Sequence, residues 1–347
     1  MFKKKPASTS VVGLDLEPGH IAAAEVHVNG SVVVTRGAVK PLRPGILRDG
    51  EVVDGPALTE ELREMFSEHG FGDRVRLGIA NQRIVVRALD LPPLDDPKAL
   101  AAAVRIEAPD HIPMPMDEAI LDFQPIGIVD TPQGPRQRVV VVAVRREMVE
   151  RFAIAAKDAG LKVEGIDLSA FAMVRALGPA EGVNAALYIN VGGLTNVAVV
   201  SGTHCLFTRA ASGGLDMLIQ LLSERRGLTL EHAHQWMAHV GLATPLAELD
   251  GDPDVVGATR TVLEEGIHTL ADTVRNSLNF YRMQDNSQPV DRAVLTGPAV
   301  AIPGFADALS AQLRLPIEVA VVAHDASVEA DASRLAVAAG LAVDDIS

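Results

Sequence analysis

The alternation of apolar runs and turns in this chain writes the same short device twice. In VVGLDLEPGHIAAAEVHVNGSVVVTRGAV a β-branched run leads to Asp15, a turn containing Gly19 follows, and a second apolar run reaches Asn29-Gly30 before a third. In ALYINVGGLTNVAVVSGTHCLFTRAASGG a run leads to Asn190, a Gly-Gly turn follows, and a second run reaches Gly202 before a third. Both third runs end in Thr-Arg, at Thr35-Arg36 and Thr208-Arg209. Apolar runs of this length separated by turn pairs predict hairpins, so each unit reads as a three-stranded meander. Two such units predict two similar lobes facing each other across a cleft, with the loops after the first strands gripping a phosphorylated ligand.

The rest of the pattern divides around these units. PLRPGILRDGEVVDGPALTEELREMF reads as a loop and then a helix, and RVRLGIANQRIVVRALDL as a strand pair continuing the sheet of the first lobe. Pro92-Pro93 marks a boundary, after which ALAAAVRIEA has helical composition and stops near Pro109. HIPMPMDEAILDFQPIGIVD is a Pro-rich loop entering a strand. RVVVVAVRREMV is a buried strand running into a helix that, with LKVEGIDL, predicts a strand–helix–strand unit. Farther on, Ile267, Leu270, Val274, Leu278 and Tyr281 form one apolar stripe of a long helix. A strand (AVLTG), a turn from Pro298 to Gly304 and a helix (FADALSAQL) follow. SRLAVAAGLAV is an Ala-rich helix suited to tight packing, and the tail DDIS is short and acidic. The expected division is a first lobe of 1–91 with 165–183 and 326–347, an α+β insert of 92–164, and a second lobe of 184–325.

Composition narrows the class. A length of 347 residues predicts two or three domains. Hydrophobic residues make up 48% but aromatics 3%, so the cores must be built from Ala, Val, Leu and Ile. A net charge of -14, with no basic run beyond Lys3, Lys4 and Lys5, argues against a nucleic-acid surface. Cys205 is the single cysteine, which rules out an intramolecular disulfide and a multi-cysteine zinc site. No uninterrupted apolar stretch approaches the length of a membrane span, and MFKKKPASTS does not read as a secretory signal. The expected location is the cytoplasm.

Three glycine-bearing loops follow apolar strands: one from Gly13 through Asp15, one from Ile189 with Gly192, Gly193, Thr195 and Asn196, and one from Leu295 with Gly297. Glycine lets backbone N–H groups close around a phosphate, and an acid at a strand end, here Asp15, can hold hydrated Mg²⁺. Each loop alone is most often a plain turn; three in this order, within duplicated meanders, point to a nucleotide cleft. Gly213-Gly214 opens a helix whose N–H groups could face an anion, or is a hinge turn. Arg275 is better read as a solvated helix face than as a nucleotide contact. His232, His234 and His239 do not share a helix face at metal spacing and read as surface residues. The chain carries no nucleophile elbow, HExxH or Walker A sequence.

RIEAPDHIPMPMDEAILDFQPI resembles a characteristic stretch of the PilM family, the actin-like proteins of type IV pilus assembly. VVVVAVRREMVERFAIAAKDAGLKVEGIDLSAFAMVRAL, VRNSLNFYR and LTGPAVAIPGFADALSAQLRLPIEV follow the same family's pattern, so the resemblance covers nearly the whole chain. It implies an α/β, actin/Hsp70-like (ribonuclease H-like) duplicated two-lobe fold with a small extra subdomain. It also implies ATP with Mg²⁺ in the cleft and, as partner, the cytoplasmic N-terminal tail of the membrane protein PilN. Glu107, Ile112, Pro113, Asp122 and Phe123 are the residues it suggests for that partner surface or its support. A pilus motor ATPase and further copies of the chain stay open as partners, and the expected place is the inner face of the cytoplasmic membrane, reached through partners.

The departures from the family's pattern are concentrated in the loops. Glu17 and Pro18 stand where glycine and a hydroxyl residue are usual, Ala22 replaces a lysine, Asn190 an aspartate and Pro298 a second glycine. A carboxylate about 4 Å from a phosphate repels it by roughly 4 kcal/mol at an effective dielectric near 20. That is roughly a thousandfold in affinity unless Mg²⁺ or an outward-turned Glu17 offsets it. The expectation is a weakened or lost ATP site on an intact fold serving as an assembly scaffold. The competing readings are an active ATPase or kinase-like phosphotransferase, the secretion component GspL, and an FtsA-like division protein, the last disfavoured because the chain ends GLAVDDIS rather than in a basic amphipathic helix.

Overall fold

The structure, a computed structural model, describes residues 10–132, 134–180, 182–284 and 287–343. The leading lysines and the tail DDIS lie outside the described residues. The first meander forms as β1 (Val12–Glu17), β2 (His20–Asn29) and β3 (Ser31–Pro41), each antiparallel to the next. The predicted loop after it contains a small hairpin, β4 (Leu47–Arg48) and β5 (Glu51–Val52), that the sequence reading missed. Asp54 then caps α1 (Gly55–His69) by accepting the Ala57 N–H, and Gly70 ends it with a left-handed φ of 62°. β6 (Arg74–Ile79) returns to lie parallel to β1.

β7 (Val85–Leu91), α2 (Pro97–His111), β8 (Ala119–Thr131) and β9 (Gly134–Arg145) leave this sheet and build another, in the order β7-β9-β8. The chain comes back through α3 (Arg146–Asp158), β10 (Lys162–Leu168), which pairs parallel with β6, and α4 (Ser169–Leu177). The second meander is β11 (Ala186–Val191), β12 (Leu194–Ser201) and β13 (His204–Ser212). After it come α5 (Leu215–Arg226), α6 (Leu230–Val240) and the long α7 (Pro253–Arg282), whose expected stripe from Ile267 to Tyr281 is buried. β14 (Arg292–Thr296), α8 (Phe305–Leu313), β15 (Ile317–Val319), β16 (Ala323–His324) and α9 (Ala336–Ala342) complete the described chain.

The two large sheets run β10-β6-β1-β2-β3-β16 and β13-β12-β11-β14-β15. Each is a meander continued by two parallel strands beside its first strand, so the duplication extends beyond the repeated sequence. β1 and β11 are buried at every position, as expected of central strands covered on both faces. Between the sheets lie α4 and α9. Ala170 and Met173 of α4 pack with Tyr188, Ala198 and Val294 of the second sheet, and Ala338 and Ala339 of α9 join Ala22 and Ala24 of the first. The Ala-rich composition permits this: a Cβ on Gly340 would fall 1.8 Å from the Ala172 carbonyl oxygen, and one on Gly13 1.8 Å from that of Ala338.

Several expectations are corrected by the pairing. RVRLGIANQRIVVRALDL is not a continuous part of the first sheet: β6 belongs to it, but β7 pairs antiparallel with β9. β9 needs partners on both edges for its buried run Val139–Val144, and β7 supplies one of them. The strand–helix–strand unit is also not one unit, because β9 and β10 lie in different sheets. Met148, Phe152, Ala155 and Ala156 of α3 join the first-lobe core with Leu58 and Leu62 of α1. The β7-β9-β8 sheet and α2 are drawn from residues 85–145, and β16 pairs residues 323–324 with β3 of the first sheet. α2 ends at His111, two residues beyond Pro109, which sits in its last turn.

Candidate functional site: the cleft between the lobes

The first strand of each lobe delivers its terminal polar residues to one place. Asp15 and Glu17 lie two positions apart on β1, so they share a face, and both are buried. Asp15 Oδ1 accepts a hydrogen bond from Ser169 Oγ at 3.4 Å, at the start of α4. Glu17 reaches across the cleft. Its Oε2 accepts the Gly193 N–H at 2.8 Å and, more weakly, the Leu194 N–H at 3.5 Å, while Oε1 accepts Asn196 Nδ2 at 3.2 Å.

The expected glycines serve this contact and its surroundings. A Cβ on Gly192 would lie 2.5 Å from Glu17 Oε2, and one on Gly193 2.0 Å from the Pro18 carbonyl oxygen. Gly214 packs on the Gly192 carbonyl, which would lie 2.2 Å from an added Cβ, and the Gly213 carbonyl accepts Thr195 Oγ1 at 2.7 Å. Gly297 has φ 89°, and a Cβ there would lie 2.2 Å from Asn190 Oδ1. Gly13 differs from its expected role: its bare Cα faces α9 and lets that helix lie on β1, so it is a packing glycine.

Three residues that sequence reasoning missed complete the cleft. His20 Nδ1 lies 3.2 Å from Asp216 Oδ2, and Arg334 Nη2 donates to Asp216 Oδ1 at 2.8 Å. Arg334 Nη1 lies 3.0 Å from His20 Nδ1. Asp216 sits in the first turn of α5, His20 at the start of β2 and Arg334 in a short 3-10 turn before α9. No local signal marks them as a set, because they come from three segments that only the fold assembles.

The electrostatics follow from burying these charges together. Burial, and then the neighbouring Glu17 charge, push Asp15 well above the ordinary carboxylate range. Burial also raises Glu17, against the opposing pull of His20 and the Gly193 N–H. For Asp216, burial is outweighed by His20 and Arg334, which hold its carboxyl well below the usual range. Arg334 loses hydration, yet Asp216, Asp331 and Glu17 keep it more firmly protonated than a free guanidinium.

A cavity of about 10 Å³ remains between Asp15, Glu17, His20, Asn190, Pro298 and Arg334. That is on the order of one water, against the ~300 Å³ or more of an organic-ligand pocket. In this closed arrangement the residues do not fit a nucleotide with its Mg²⁺. The N–H groups of the second loop already hold a carboxylate, Pro298 lacks a donor, and a phosphate would meet Asp15 and Glu17. Among the described residues, no group of three His, Cys, Asp or Glu side chains is placed to hold a metal ion.

The remaining candidates lie elsewhere. Arg275 pairs with Asp272 on α7, and His232 and His239 are exposed while His234 is half-buried. On the insert, Glu107, Pro113 and Asp122 are exposed, whereas Ile112 caps α2 from the insert core and Phe123 packs against that core. Ile106 and Ile128 add apolar surface to the same subdomain, 77% and 59% exposed. Among the described residues, no helix is long and apolar enough to cross a membrane.

With this geometry in place, comparison with known proteins gives a consistent answer. A family model described as type IV pilus assembly protein PilM matches residues 13–345. A solved PilM-PilN type IV pilus biogenesis complex is similar at 26% identity and a TM-score of 0.76, covering 96% of this chain and 98% of that one. The ethanolamine utilization protein EutJ from Carboxydothermus hydrogenoformans shares the fold at 17% identity and a TM-score of 0.54, over 98% of this chain and 91% of that one. MreB5 of Spiroplasma citri, solved with ADP bound, shares it at 14% identity and a TM-score of 0.54, over 96% and 95%. The fold is the actin-like one.

Proposed function

Starting from the premise that this chain belongs to the PilM family of type IV pilus assembly proteins, we propose that it is a scaffold of the pilus inner-membrane platform. It holds the cytoplasmic N-terminal tail of a PilN-like membrane protein between its main body and the 85–145 insert, and stays at the membrane through that partner. The observation that carries this reading is the likeness, over nearly the full length of both chains, to a PilM-PilN complex. An extended tail that adds its backbone to a sheet edge or groove is a common recognition mode, and β8 with Asp122 and Phe123 is an edge strand of the insert.

The nucleotide site on this reading is degenerate. Glu17, raised in the sequence as a charge obstructing phosphate, stands against the second loop, and supports a protein that holds its lobes together without ATP. The buried Asp15 favours a second reading, an ATP-binding and ATP-hydrolysing relative, in which Glu17 would first have to swing away.

Fluorescence anisotropy with a labelled tail peptide of the partner, without nucleotide, tests the scaffold. Saturable binding is expected, weakened tenfold or more by Asp122→Lys, about 1.4 kcal/mol. No binding in any nucleotide state would overturn it.

A further inference from the structure

We propose that Glu17 is a built-in stand-in for a phosphoryl group: its carboxylate latches the lobes together by filling the anion site of the second loop, and removing it uncovers a site for phosphoryl anions. The inference rests on the closed-cleft reading above and goes beyond it by naming what closes the cleft and what lies beneath.

The geometry is that of a bound ligand rather than of a surface contact. One carboxylate oxygen takes the N–H of Gly193 and, at longer range, that of Leu194, and the other takes the Asn196 amide, so both are held by the second lobe. Successive backbone N–H groups in a glycine turn are the donors that bind phosphate in other proteins. Here Gly192 and Gly193 must lack a Cβ because Glu17 and Pro18 of the first lobe occupy the space.

The charges facing Glu17 come from several elements: Asp15 on its own strand, His20 on β2, Asp216 on α5 and Arg334 before α9. Burial raises Glu17, so its ionised form carries a cost that the N–H groups, His20 and Arg334 offset only in part. An ordinary packing position would be cheaper with an uncharged residue.

The test uses the full chain, as wild type, Glu17→Ser and Glu17→Gln. Each is titrated calorimetrically with inorganic phosphate and, separately, with ADP and Mg²⁺, and backbone hydrogen exchange is followed across 190–196. The expected result is no measurable binding by wild type and saturable phosphate binding by Glu17→Ser, at least tenfold tighter than the weakest binding the titration would detect for wild type. Exchange at Gly193 and Leu194 should be at least tenfold faster in Glu17→Ser and slowed again by phosphate. Glu17→Gln, which keeps the shape and one acceptor, covers the case in which the serine variant does not fold, and should show the faster exchange alone. A folded Glu17→Ser with unchanged exchange and no phosphate binding, or a Glu17→Gln indistinguishable from wild type in exchange, overturns the latch. Wild-type binding of ADP and Mg²⁺ as tight as that of Glu17→Ser fails the closed-cleft reading itself, and the latch with it.

Discussion

Asp216 is the residue on which the cleft's charges turn. The Arg334 guanidinium and the His20 ring face its carboxylate, and its side chain is 17% exposed, so truncation would leave Arg334 buried beside an empty partner position. Asp216→Ala should cost about 3–5 kcal/mol at neutral pH, read as a lower midpoint in denaturant unfolding. The pH dependence has a definite sign. A depressed carboxyl contributes stability that is complete above its unfolded value, 3.8, and is lost as pH falls through the folded value below it. The gap between wild type and variant should therefore narrow below that pH. Asp15 and Glu17 act oppositely: their raised values mean a cost that is absent at low pH and grows as they ionise. Glu17→Gln should flatten that second component in thermal midpoints followed from pH 4 upward, while Asp216→Ala should not.

At the scale of elements, the pair α4 and α9 sets how closely the two sheets approach. Helices normally pack 8–10 Å apart according to the side chains between them, and glycine with alanine gives the near limit. Gly340→Val would put its new side chain through the Ala172 carbonyl, so α9 must shift or detach. A loss of about 3 kcal/mol or more is expected in chemical denaturation, larger than ordinary overpacking. The insert shows the complementary limit of pattern reading. Val86, Leu89 and Leu91 mark β7 as half-buried whichever sheet it joins, and only the demand of β9 for two neighbours assigns it.

For the whole molecule, the meanders, α4 and α9 make the two lobes one packed body, and Cys205 offers a probe of its opening. Cys205 is half-buried on β13, with its Sγ donating to the Phe207 carbonyl; loss of hydration pushes the thiol up to about 12, so almost none is thiolate at pH 8. Its reaction with an aromatic disulfide reagent at that pH should be negligible in the native protein and complete on unfolding. Native-state reaction rates should then follow the global unfolding free energy across a denaturant series. Reaction without denaturant as fast as in the unfolded chain would show that β13, an edge strand, opens independently.

What the sequence by itself determined was local or internally repeated. Apolar alternation is a relation between neighbours in the chain, so it specified both meanders, the buried stripe from Ile267 to Tyr281, and the tight packing of an Ala-rich, aromatic-poor interior. The similarity of long segments gave the family and the actin-like fold, and Glu17 and Pro18 stood out as departures in the first loop. Where the Glu17 carboxylate goes could not be read there, because its partners Gly193 and Asn196 are 176 and 179 residues away. The same holds for Arg334, 314 residues from His20 and 118 from Asp216. Chain separation of that size leaves no periodic trace, and whether a buried acid meets N–H groups, a cation or another acid depends on which surfaces the tertiary fold brings together.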